Sequence, residues 1–190
     1  MKKIIVFDFD GTIIKGDSIK LYCKWLSPNW LEFFLNYHIR FRLMKLFNSK
    51  IDIKHERVKF FHKRQLKYNF NIDVFNLILN KNLFKDSIAL LKKDQSNLKV
   101  YIVSASFSEI IESFCLNFIK VNLITNNIKN YNTLNDINFK NKIIALKSNI
   151  KEDYSIVKGY GNSPGDFDFM SISENAYLRL PNGENILWHR

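Results

Sequence analysis

Two carboxylates, Asp8 and Asp10, stand two residues apart near the start of the chain. They follow the apolar run Ile4-Ile5-Val6-Phe7 and precede Gly11-Thr12. A short, β-branched run of this kind reads as a buried strand. Side chains i and i+2 of a strand share a side, so both carboxylates leave its C-terminal end toward the same place. Like charges held that close are costly unless a cation or a shared proton relieves them. An oxygen-loving divalent ion such as Mg²⁺ is the simplest relief. Open α/β sheets place ligands just beyond the carboxyl ends of their strands, and Gly11 lets the backbone approach an anion with its amide free to donate. A solvated acidic turn is the alternative for an isolated Asp-x-Asp.

Other chemistry-bearing residues sit at later strand ends. Leu98 to Val103 is a second apolar run, closed by Ser104-Ala105-Ser106. Ser104 would donate a hydrogen bond to an anion, and Ser106 is expected to cap the next helix. Lys142 opens a helical stretch with Leu146 four residues on, among competing lysines Lys140 and Lys147. A further strand, Ile156 to Tyr160, ends in Gly161-Asn162-Ser163-Pro164-Gly165-Asp166, with Met170 beyond it and Asp168 expected on the exposed side of the turn.

Phe7-Asp8-Phe9-Asp10-Gly11-Thr12 resembles the nucleophile motif of the haloacid dehalogenase (HAD) superfamily. Ser104, Lys142-x-x-x-Leu146 and Gly161–Asp166 resemble its second, third and fourth motifs, in order and across nearly the whole chain. The family's lysine four residues before a core Leu favours Lys142. The resemblance implies Asp8 as the nucleophile, forming an aspartyl phosphate, and Asp10 as general acid and base. The dehalogenase branch lacks that second Asp, so phosphatase chemistry is implied. It also implies Gly11, Ser104 and Lys142 around the phosphate, and Mg²⁺ held by Asp8, Asp10, Asn162 and Asp166. Asn162 departs from the carboxylate often found there; an amide oxygen ligates Mg²⁺ without adding charge, so Asp166 is expected to carry more of the balance. The layout resembles the phosphoserine-phosphatase-like branch, which includes phosphatidylglycerophosphatases. The implied substrate is a phosphorylated small molecule or a lipid phosphate.

Strands alternating with helices imply an α/β fold, a Rossmann-like, doubly wound, mostly parallel sheet. Residues 15–85 read as an all-helical cap inserted into a core of residues 1–14 and 86–190. Within the cap, Ser18 to Trp25 is helical, and Ser27-Pro28 reads as the cap and first position of a helix running to about Phe47. Trp30, Phe33, Phe34, Tyr37, Phe41 and Met44 form one apolar stripe, and Leu31, Leu35, Ile39 and Leu46 a second. Both would pack on neighbouring helices, or one would meet a membrane surface or a partner. Helices over Asp52–Tyr68, with Val58, Phe61 and Leu66 inward, and Ile72–Leu79 complete the cap. Asn126 to Asn141 reads as loop, and the residues after Pro181-Asn182-Gly183 as a short tail.

At 190 residues the chain fits one α/β core plus an insertion. No run of about 18 apolar residues suggests a membrane span, and four apolar residues before Asp8 are too few for a signal peptide. Cys23 and Cys115 read as buried thiols of a reducing compartment, and the four histidines show no zinc-ligand spacing. The expected location is the cytoplasm, with peripheral membrane association left open. The net charge of +11 is concentrated: residues 15–85 hold 15 Lys and Arg against 5 Asp and Glu, a net of +10. Such a cap, interleaved with aromatics, suits an anionic partner, either a polyanionic substrate or an anionic membrane surface. Nucleic acid is a third anionic class, but no nucleic-acid motif is present and it would leave the four motifs unexplained. A phosphate-binding pseudoenzyme is disfavoured by intact Asp8, Asp10 and Lys142.

Overall fold

The first strand, β1 (Lys2–Phe7), has apolar side chains on both faces, as the centre of a parallel sheet requires. In the computed structural model, which describes residues 1–95, 98–118, 121–130, 137 and 141–188, Ile5, Phe7 and Phe9 join one buried cluster. Ile4 and Val6 join another. The remaining strands are β2 (Lys99–Phe107), β3 (Asn122–Asn126), β4 (Tyr154–Gly161), β5 (Ser173–Arg179) and β6 (Asn185–Leu187), in the spatial order β3-β2-β1-β4-β5-β6. All pairings are parallel except β5 with β6. The chain runs outward from β1 through β2 and β3, then crosses to β4 on the other side. That reversal places a crevice at the carboxyl ends of β1 and β4. Phe7, Tyr160 and Tyr177 lie in register across β1, β4 and β5 and stack, with centroids 4.3 and 4.9 Å apart.

The segment between β1 and β2 is helical: α1 (Ser18–Trp25), α2 (Trp30–Phe34), a π-helical segment (Leu35–Arg40), α3 (Phe41–Phe47), α4 (Ile53–Tyr68) and α5 (Ile72–Lys81). It leaves and returns at one place. Lys15 N donates to Asn82 O (2.7 Å), Phe84 N donates to Ile13 O (3.1 Å), and Ile14 bridges Leu83 antiparallel. Its buried residues Tyr22, Phe33, Val58 and Phe61 share one cluster with Phe107, Ile110 and Phe114 of the core. Helices α6 (Ser87–Gln95), α7 (Ser108–Phe118), α8 (Lys142–Asn149) and α9 (Phe167–Ser171) belong to the sheet's own connections.

Several local expectations are corrected. Asn29, not Ser27, caps α2, its Oδ1 accepting from Glu32 N at 2.8 Å. The Ser27 hydroxyl instead donates to Cys23 O at the end of α1. The helix to Phe47 is broken by the π-helical segment. Of the first stripe Phe33, Tyr37 and Phe41 are buried, whereas Trp30 and Phe34 are exposed. The whole second stripe, Leu31, Leu35, Ile39 and Leu46, faces out, and Leu66 is exposed rather than inward. β2 runs on through Ser106, so α7 starts only at Ser108 and Ser106 is not its cap. The expected tail carries β6, paired to β5. Most of the stretch from Asn126 to Asn141 lies outside the described residues.

Candidate active site

The end of β1 brings Asp8 into a buried position; Ser104, inside β2 two residues past the partner of Phe7, and Asp166, in the turn after β4, are buried as well. Lys142, at the start of α8, reaches between the two carboxylates: its Nζ lies 2.5 Å from Asp8 Oδ1 and 2.6 Å from Asp166 Oδ1. Burial alone would lower the Lys142 pKa, but the charges of Asp8 and Asp166 overcome this and hold it above the usual lysine range. Burial pushes the Asp8 carboxyl up to about 6, against the pull of Lys142. Lys147 is exposed on the far side of α8; Lys140 lies outside the described residues.

Asp166 is fully buried. Its Oδ2 accepts from Asn162 N, Ser163 N and the Ser163 hydroxyl, each at 3.0 Å, closing a capping box that shapes the turn after β4. Gly161 is needed here because a Cβ would sit 2.4 Å from that of Asp166 and 2.8 Å from Met170 Sδ. Asp168 is exposed, as expected.

The two carboxylates of the first motif have different surroundings. Asp10 is turned onto the start of α1, accepting from Ser18 N at 2.8 Å on Oδ1 and from the Ser18 hydroxyl at 3.1 Å on Oδ2. The Ser18 hydroxyl also lies 2.8 Å from that of Ser106 on β2, so cap and core together orient Asp10. Burial, then the charges of Asp17 and Asp8, push the Asp10 pKa up to about 8, with the Ser18 bonds opposing. A carboxyl of this kind keeps its proton to higher pH than a free one does. Asp8 meanwhile accepts a long bond, 3.4 Å, from the Thr12 hydroxyl.

One further convergence fits a hard cation. The Asn162 amide lies beside the Asp10 backbone carbonyl and Asp8 Oδ2. Turned one way, its nitrogen donates to them at 3.0 and 3.2 Å; turned the other way, three oxygens face one another. Such an oxygen cluster is what Mg²⁺ takes as ligands. Gly11, at φ 75°, leaves the space this amide fills, since a Cβ there would lie 2.0 Å from Asn162 Nδ2. The set differs from a row of carboxylates: among the described residues no group of three or more His, Cys, Asp or Glu side chains is placed to hold a metal.

A cleft of about 670 Å³ opens over these groups, with Ser104 in its wall and Lys15, Asp17 and Lys20 lining it from the helical segment. Ser104 Oγ accepts from Ser106 N at 3.1 Å, leaving its own proton to donate. Sequence reasoning missed Ser18 and misplaced Ser106. The available signal was that Ser18 opens a helix, where backbone amides lack intrahelical partners.

The raised carboxyl pKa values have a consequence for stability. Asp8 and Asp10 keep protons in the folded chain that they release near pH 4 when unfolded. Between roughly pH 4 and pH 8 the native state therefore binds more protons, and stability falls as pH rises. With chelator present, Tm is expected to be lower at pH 8 than at pH 5.5, and Asp10→Asn should flatten that slope. A Tm that rises over this range, or a slope untouched by Asp10→Asn, would contradict the assignment.

Solved structures share this arrangement of chain. A Bordetella pertussis Tohama I protein of unknown function superposes with a TM-score of 0.66 at 12% identity, over 93% of this chain and 89% of that one. A HAD family hydrolase from Salmonella enterica serovar Typhi gives 0.56 at 15% identity, over 90% of this chain and 60% of that one. A substrate-bound phosphoserine phosphatase gives 0.53 at 13% identity, over 93% and 85%. These likenesses establish the fold. No curated protein matches the chain at a significant level. The family model of haloacid dehalogenase-like hydrolases matches residues 5–171, from β1 through α9, and the chain belongs to that family.

Proposed function

We propose that the protein is a Mg²⁺-dependent phosphomonoester hydrolase working through an aspartyl phosphate on Asp8. The observation that carries this is the unequal pair of carboxylates at the end of β1. Asp8 is paired with Lys142, while Asp10 is turned away onto Ser18 and holds its proton to higher pH. Asp8 attacks phosphorus, and Asp10 protonates the leaving oxygen, then takes a proton from the water that opens the acyl phosphate. Lys142, the Ser104 hydroxyl and the amides around Gly11 stabilise charge on the transferring group.

The residues that would hold Mg²⁺ are Asp8 through Oδ2, Asp10 through its backbone carbonyl and Asn162 through its amide oxygen. Bound there, the ion would supply charge neutralisation for the phosphoryl oxygens. Asp166, already engaged by Lys142 and by the turn it caps, acts as the anchor of both rather than as the main source of charge.

The substrate is a phosphorylated small molecule; a lipid phosphate is the second reading, favoured by the exposed apolar face of the helical segment. The test is hydrolysis of an aryl phosphate. Turnover is expected with Mg²⁺ and lost with chelator, and Asp10→Asn should slow it by about 10²–10⁴-fold. Metal-independent turnover, or an Asp10→Asn enzyme as fast as the parent, would sink this mechanism.

A further inference from the structure

The stretch from Trp30 to Phe47 is apolar on opposite sides. Phe33, Tyr37 and Phe41, four residues apart, form the buried inner row. Leu31, Leu35, Ile39, Leu43 and Phe47, also four residues apart, are all exposed. Two residues of offset turn a helix by about 200°, so the rows are back to back. In an unbroken α-helix every fourth residue gains about 40°, and a row of five would wind well round the axis. The π-helical Leu35–Arg40 segment winds more slowly, with its i→i+5 bonds, and takes up that drift. The outer row thus winds less than it would in an unbroken α-helix, over roughly 24 Å. Trp30, Phe34 and Leu46 flank it; Trp30 is 69% exposed, Leu46 79% and Phe47 90%. Isolated exposed apolar residues need no explanation, but a continuous row does.

Charge identifies what covers it. Between Ser18 and Ile51 the bases are Lys20, Lys24, Arg40, Arg42, Lys45 and Lys50, all exposed, and the sole acid is Glu32, which accepts from Arg64. Part of the cap's positive charge has a partner within the cap: Arg57 stacks on Tyr37 at 3.9 Å and the exposed Arg40 on Phe60 at 4.3 Å. Arg42, one position before Leu43, lies beside the outer row, whereas Lys45, four residues after buried Phe41, lies on the opposite side of the same helix. Trp, Phe and Leu on one face with bases alongside is the composition of a helix lying in a membrane interface, the long basic side chains reaching the headgroups. No helix among the described residues is long and apolar enough to cross a membrane.

We propose that this outer face docks the protein on an anionic bilayer, with Leu31, Leu35, Ile39, Leu43 and Phe47 entering the headgroup boundary and Arg42 meeting anionic lipid. Helix α1, only eight residues long, joins this face to Ser18 at the active site. Docking does not depend on the catalytic assignment, so Asp8→Asn protein should bind as the parent does.

The experiment is vesicle sedimentation of the full chain, with Trp30 emission as a second readout. Phosphatidylcholine vesicles are compared with vesicles containing phosphatidylglycerol. Binding to the anionic vesicles alone, a blue shift lost in Trp30→Phe, and weakening by salt are expected. Arg42→Gln should lower partitioning about fivefold, and Lys45→Gln, on the opposite side of the helix, should lower it much less. Leu35→Asp with Leu43→Asp should abolish it while far-UV circular dichroism stays unchanged; should that pair perturb folding, the two glutamine variants decide alone. No binding to anionic vesicles at low salt would overturn the proposal, as would binding indifferent to these substitutions. Concentration-dependent self-association lost in Leu35→Asp, without vesicle binding, would assign the face to a second copy instead.

Discussion

Asp8→Asn is expected to abolish turnover and to leave the fold intact. The asparagine amide fills the same space, but it cannot attack phosphorus to give an acyl phosphate. The loss should exceed the roughly 10⁴-fold upper range of removing an acid-base group, so it should be larger than that of Asp10→Asn. Folding should tolerate it well. The Asp8 carboxyl is buried and its charged form is disfavoured there, and Lys142 keeps Asp166 as a partner at 2.6 Å. The check is a turnover assay with an aryl phosphate beside a thermal melt in chelator. Near-parental turnover would remove Asp8 from its role. A collapsed melt would show that the variant reports on folding instead.

Lys142→Met should damage both folding and catalysis. The lysine is nearly fully buried, and its ammonium joins Asp8 and Asp166 in one ion cluster. Methionine keeps most of the stem but removes the cation, leaving two buried carboxylates facing each other. Breaking a buried pair by removing one partner typically costs about 3–5 kcal/mol. That predicts a large drop in urea midpoint without metal. Mg²⁺ should restore part of the stability, by neutralising Asp8, and little of the turnover. An unchanged midpoint in chelator would mean that the ion cluster does not form in solution.

What was legible in the sequence was what repeats with a fixed period or sits at a strand end. Ile4 to Phe7 could only be a strand, and the residues just past its end had to stand at the crevice. The same logic marked Asp166; Lys142, four residues before buried Leu146, was picked out by the family resemblance, and Ser104, expected at a strand end, lies inside β2. What was not legible depends on contacts made later. Ser27 and Asn29 are comparable helix caps by type. Asn29 prevails because the Ser27 hydroxyl is used by Cys23 O, at the end of the preceding helix. A helix apolar on opposite sides does not announce which side is buried. Only the packing of Phe33 and Tyr37 into the cluster shared with Val58 and Phe61 decides it. The π-helical turn has no residue signature, and Ser106 resembles a cap until β2 is seen to run on to Phe107. The different surroundings of Asp8 and Asp10 needed Ser18, a residue that alternation along β1 says nothing about.

The neck at Ile13–Lys15 and Asn82–Phe84 has an evolutionary consequence. Because departing and returning chain are hydrogen-bonded side by side, the two ends of the insertion are held together whatever lies between them. Loop-closure entropy grows slowly, by about 0.6 kcal/mol for each doubling of length. Insertions of very different size and shape can therefore be exchanged at this doorway without disturbing the groups beneath. Two conditions travel with any replacement. It must refill the apolar contacts with Phe107, Ile110 and Phe114, and its opening turn must present an amide and a hydroxyl to Asp10 as Ser18 does. Substrate preference is then free to diverge while the reaction stays the same.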